Sequence, residues 1–116
     1  MIAGTYNMTI DQGSTFRIVV GIQDSAYQPM NLEGASARMQ VRSSSTSGGL
    51  MLQATSDDGE IVVDGVDGTL TIQISHEKTK LLVPSVAVYD LEVYMADGTV
   101  WKVLKGRCRI QGEVTR

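Results

Sequence analysis

Polar and apolar residues alternate along most of this chain, and the alternation has the period of a β-strand. From Thr15 to Gln23, Phe16, Ile18, Val20 and Ile22 fall on one side of an extended backbone and Arg17, Val19 and Gln23 on the other. At helical spacing these residues would scatter around the cylinder, so the period of two predicts a half-buried strand. Thr5–Ile10 repeats the pattern with Tyr6, Met8 and Ile10, Ala35–Arg42 with Ala37, Met39 and Val41, and Thr69–Ser75 with Leu70, Ile72 and Ile74. Leu50–Ala54 and Glu60–Val63 are shorter runs of the same kind. Val86–Met95 is the longest, with Ala87, Tyr89, Leu91, Val93 and Met95 facing inward. In Thr99–Ile110, Trp101 and Val103 share one face, Leu104, Cys108 and Ile110 share the other, and Gly106 marks a candidate bulge.

Turn chemistry punctuates these runs. Asp58-Gly59, Asp64-Gly65, Asp67-Gly68 and Asp97-Gly98 carry the dipeptide that two-residue hairpins favour, since Gly and Asp reach positive φ at low cost. The serine-rich stretch Ser43–Gly49 reads as a loop tip. Only His76–Leu82 breaks the alternation: Ser75 is a suitable cap, Glu77 suits a first helical turn, and Pro84 stops it. Strands with one apolar face each must cover one another. The expected fold is therefore all-β, an immunoglobulin-like antiparallel β-sandwich of roughly seven to nine strands in two sheets. One short helical turn near residues 76–82 crosses between the sheets, and the strand that follows it carries Tyr89, as at the tyrosine-anchored corner of immunoglobulin-like domains.

Composition narrows the class. The 116 residues suffice for a single domain, 1–116, that buries about two-thirds of its surface without metals or disulfides. A net charge of −3 argues against nucleic acid as a partner. No apolar run approaches the ~20 residues of a membrane span, so no membrane partner is expected. The start of the chain lacks a signal peptide's pattern, and the lone Cys108 suits a reducing compartment.

Candidate chemistry is sparse. His76 is the only histidine and lies far in sequence from Cys108, so neither a Ser-His-Asp nor a Cys-His arrangement is expected. One Cys and one His are too few for a structural zinc site. Asp57, Asp58, Glu60, Asp64 and Asp67 form an acidic cluster of the kind calcium uses, although turn chemistry explains each Asp-Gly and the spacing is not that of an EF-hand. No catalytic residue, metal or cofactor is assigned. Arg17, Arg38, Arg42, Arg107 and Arg109 lie at outward strand positions, and Trp101 and Val103 join them if their face is outward. These seven are the interface candidates. Two readings stand for them, a solvated face with local ion pairs or a contact surface for an acidic partner or a neighbouring copy.

Over most of its length the chain resembles a family of small tailed-phage and prophage structural proteins. The resemblance rests on Ala3–Phe16 (AGTYNMTIDQGSTF), Asn31–Arg42 (NLEGASARMQVR), Asp67–Ile72 (DGTLTI), Tyr89–Val93 (YDLEV), Leu104-Lys105-Gly106 and Glu113–Arg116. The layout is also similar to the N-terminal sandwich of phage baseplate upper proteins. Trp101 and Cys108 depart from the pattern, where plainer residues are expected. The resemblance implies a non-enzymatic virion component, made in the host cytoplasm and then carried in the virion, without fixing its part of the particle; the first expectation is a docking module of the tail, baseplate or fibre. Its implied partners are other virion proteins and copies of itself. A capsid decoration protein is the alternative, and a carbohydrate-binding module for host attachment is a third, limited by the few aromatic residues available for stacking.

Overall fold

The alternating runs form strands, and each strand buries the side that carries its apolar residues. The computed structural model describes residues 4–43 and 48–115. In chain order the strands are β1 (Gly4–Thr5), β2 (Met8–Asp11), β3 (Phe16–Gly21), β4 (Ser36–Arg42) and β5 (Leu50–Thr55), followed by β6 (Ile61–Asp64) and β7 (Thr69–Ile74). After the single-turn helix α1 (His76–Thr79) come β8 (Ser85–Tyr94) and β9 (Val100–Gln111). The larger sheet runs β1-β9-β8-β4-β5, with β2 also on β9, and the smaller runs β3-β7-β6. The fold is an all-β sandwich. Its pairs are antiparallel except at one edge, where β1 and β2 lie parallel to β9.

Between the sheets lies one continuous core. Met39, Val41, Ala54 and Leu91 from the large sheet meet Leu70, Ile72 and Ile74 from the small one, all with 0% exposure. Complete burial of each of these side chains other than Ala54 is worth about 1.5–3 kcal/mol relative to exposure. The inward residues expected of β4 and β7 are all buried. In β3, Phe16 is buried while Ile18 and Val20 are half-buried against the core. Tyr6 departs from its expected face and is 48% exposed, because the first strand breaks beside Gly106.

That break is chemically closed. The Tyr89 hydroxyl donates to the Tyr6 carbonyl at 2.5 Å, and the Arg107 N–H donates to Asn7 Oδ1 at 3.1 Å. A Cβ on Gly106 would fall onto the Tyr6 carbonyl and lie 2.8 Å from the Tyr6 carbonyl carbon. Gly106 is thus a site of close backbone approach. The bulge expected there lies elsewhere, where the β8–β9 register slips between Leu91↔Leu104 and Glu92↔Lys102. The inserted residue is Val103.

Two hairpins depart from the two-residue form. Met95 N–H bonds Thr99 O at 2.7 Å around a three-residue loop, Ala96–Gly98, with Gly98 at φ 91°. The β6–β7 hairpin pairs Asp64 with Thr69 around a four-residue loop in which Gly68 takes φ 68°. Gly59 also has positive φ, but its turn joins β5 to β6 in opposite sheets. Gly65 serves packing instead, since a Cβ there would sit 2.9 Å from the Glu33 backbone. Most of the serine-rich stretch falls outside the described residues; at its margins Ser43 N–H reaches Gly49 O at 3.1 Å.

α1 carries the chain from the small sheet to the large one, capped by the Ser75 side chain, which accepts from Lys78 N–H. Thr79 is wholly buried: its hydroxyl donates to Ser14 O at 2.8 Å and accepts from Gly13 N–H at 3.1 Å. Gln12 completes the seam, donating to Leu82 O at 2.9 Å and accepting from Glu113 N–H at 3.0 Å. Lys78 Nζ pairs with Glu60 at 2.6 Å and reaches Gln53 O at 2.9 Å, tying α1 to the β5–β6 crossing.

Thr79→Val retains the volume but removes both hydroxyl bonds. It should lower stability by about 1–3 kcal/mol in a urea titration. Gly106→Ala should displace the first strand selectively, so hydrogen exchange should accelerate over residues 4–11 more than over β4 or β7. Uniform acceleration would contradict the local role of Gly106.

Candidate functional surface

The outward positions of the large sheet bring together most of its charged side chains. Across the strands, Lys105 of β9 stands beside Asp90 of β8, which stands beside Gln40 of β4 and then Gln53 of β5. The next row is Lys102, Glu92, Arg38 and Thr55. Alternating charge stabilises this region, as opposite cross-strand pairs contribute about 0.2–1 kcal/mol each. Lys102 Nζ lies 3.2 Å from Asp90, and Arg38 stacks over the Tyr94 ring at 5.4 Å. The Tyr94 hydroxyl donates to Glu92 at 3.2 Å.

Toward the start of β8 the acids give way to valines. Arg107 is opposite Val88, with Arg42 beyond it, and Arg109 is opposite Val86, with Thr9 on its other side. Arg42 is held by neutral acceptors, Gln40 Oε1 at 2.9 Å and Gly48 O at 3.2 Å. Among the described residues the ion pairs are Lys78–Glu60 and Lys102–Asp90, so no arginine there takes part in one. A shallow depression of about 410 Å³ on this face is lined by Thr5, Gln40, Arg42, Asp90, Lys102 and Lys105 among others.

The seven interface candidates do not form one patch. Arg38, Arg42, Arg107 and Arg109 share the outer face of the large sheet. Arg17 lies on the small sheet, opposite Gln73. Trp101 pairs with inward-facing Val93, so the bulge at Val103 puts the indole on the core-facing side, half-buried. Val103 itself packs against the core. The expected shared outer face of Trp101 and Val103 is therefore corrected: an inserted residue reverses the alternation on one side of it. Sequence reasoning overlooked Val86 and Val88. Their outward placement was implied by the burial of Ala87 and Tyr89 on the same strand.

Comparison with protein-family models and with curated proteins finds no match. The surface is accordingly interpreted from its own chemistry. No helix among the described residues is long and apolar enough to cross a membrane.

His76 is exposed at the start of α1, whereas Cys108 is completely buried in β9. Burial pushes the Cys108 thiol up to about 11. Burial, with smaller contributions from Tyr6 and Cys108, pushes Tyr89 up to about 12. Asp58 accepts from Glu60 N–H at 2.9 Å, and Asp64 accepts from Asp67 N–H at 2.9 Å. Burial pushes the Asp58 carboxyl up, but hydrogen bonds from Glu60 and Thr55 outweigh it and hold the group below its usual value. Hydrogen bonds from Thr99 likewise lower Asp97. Glu60 takes Lys78, and among the described residues no three His, Cys, Asp or Glu groups are placed to hold a metal.

Both raised groups are neutral in the fold at ordinary pH. Their contribution to stability is fully present below pH 9.0 for Cys108 and below pH 10.0 for Tyr89. It is lost as pH rises through about 11 and about 12 respectively. The melting temperature should thus fall progressively above pH 9.0, the ordinary thiol value, and Tyr89→Phe should flatten the upper part of that fall. A thiol reagent should label Cys108 in urea but not in the native protein; rapid native labelling would contradict its burial.

Proposed function

We propose that this chain is a non-enzymatic structural protein of a tailed-phage particle, a docking module of the tail, baseplate or fibre. The resemblance described above supplies the particle. The observation that carries the docking role is the large sheet's outer face, where Arg107 and Arg109 flank exposed Val86 with no acidic neighbour in their strand pairings. Arginines beside exposed aliphatic surface suit a contact with an acidic protein, because the guanidinium is weakly hydrated and forms planar, bidentate pairs with carboxylates. The sandwich presents this face on ordered strands rather than on loops, so little freedom is lost on docking.

The reading is tested by mass spectrometry of purified virions separated into heads and tails. The chain should appear in the tail fraction in low copy number. Recovery in heads at a copy number matching the capsid lattice would assign decoration instead, and absence from both fractions would overturn the proposal.

A further inference from the structure

The molecule's charge is unevenly distributed along its length. At the end of the large sheet nearest α1, Arg107 and Arg109 surround Val86, which is 64% exposed, and the adjoining connection presents Leu81 at 82% and Val83 at 68%. Pro84 of that connection packs 3.3 Å from the position of a Cβ on Gly112, so the C-terminal end of β9 belongs to the same surface. Leu81, Val83 and Val86 lie close together in the chain, and exposed apolar side chains gathered in one patch mark contact sites.

The opposite end carries the reverse charge. Three segments meet there: the β3–β4 connection, the β6–β7 hairpin and the β8–β9 hairpin. Ile22 N–H bonds Gly68 O at 2.8 Å, Leu32 N–H bonds Gly65 O at 2.8 Å, and a Cβ on Gly34 would lie 3.1 Å from the Ala96 methyl. Asp24, Glu33, Asp64, Asp67 and Asp97 are all exposed there, and residues 22–34, 64–68 and 95–99 contain no Lys, Arg or His. Tyr27 and Val66 project among them, 80% and 75% exposed. The ten residues of β8 separate the two ends by about 30 Å.

We infer that copies of this chain associate head to tail, the Arg107/Arg109/Val86 end of one docking onto the Asp64/Asp67/Val66 end of the next. The acidic end holds carboxylates and no base, whereas the other presents arginines outside any ion pair among the described residues, with Asp11, Glu77 and Glu113 the acids near them, and its exposed aliphatic groups suit exposed Tyr27 and Val66. A two-fold contact of the acidic end with itself would set like charges together. The complementarity therefore favours a heterologous contact, which builds rings or open stacks. This deepens the docking reading, and rests on it, by naming a second copy as occupant of the same surface.

Analytical ultracentrifugation of the full chain tests it. The wild-type chain should self-associate in a concentration-dependent manner at low ionic strength, and more weakly as salt screens the charges over about 10 Å. Arg107→Glu/Arg109→Glu and Asp64→Lys/Asp67→Lys should each weaken association at least about tenfold alone. Mixed together they should associate again, since each restores the other's complement; circular dichroism establishes that both are folded. A monomeric wild type, or association unchanged in either charge-reversed variant, would overturn head-to-tail pairing. If the wild type is monomeric yet Arg107→Glu/Arg109→Glu is lost from assembled particles, the self-pairing fails while the docking reading stands. If particles retain that variant at the wild-type level, the docking reading fails as well.

Discussion

Ile72 of the small sheet and Leu91 and Met39 of the large one have no solvent exposure because two one-sided sheets press their apolar faces together. Every other feature depends on that contact. It requires the chain to cross between layers four times, at the β2–β3 turn, the β3–β4 connection, the β5–β6 turn and α1, and each crossing leaves backbone groups to be satisfied away from any ladder. Lys78 and Glu60 join the last two crossings, and the buried Thr79 hydroxyl binds the last to the first, the β2–β3 turn. The apolar contact provides the driving force, while these polar groups fix where the crossings lie.

The N-terminal edge follows another logic. β1 and β2 add parallel to β9, where a hairpin cannot supply the register. Side chains supply it instead: Tyr89 reaches across to the Tyr6 carbonyl, Asn7 takes the Arg107 N–H, and Gly106 leaves room for both. The tyrosine expected to anchor the α1 corner thus anchors the first strand, which closes one edge of the large sheet.

Net charge conceals the arrangement that matters for contacts. A chain of −3 overall gathers six basic side chains on the outer face of one sheet and keeps a group of acids in turns at one end. Those acids have local structural work as well, since Asp24, Asp64 and Asp97 each accept backbone N–H groups in their turns. The same carboxylates that close the turns therefore give one end of the molecule its charge.

Local rules determined much of this structure from the amino-acid order. The strands around Met39, Ile72 and Leu91, the burial of their flanking partners and the helical turn after Ser75 follow from periodicity and capping, which involve residues close in sequence. Tertiary structure decided what depends on distant partners. The bulge at Val103 turned Trp101 toward the core side, the parallel edge joined Thr9 to Arg109, and pairing across β4, β8 and β9 gathered four arginines while leaving Arg17 on the other sheet. Alternation assigns a residue to a face; only strand pairing assigns it neighbours, because register is set by contacts between segments far apart in the chain.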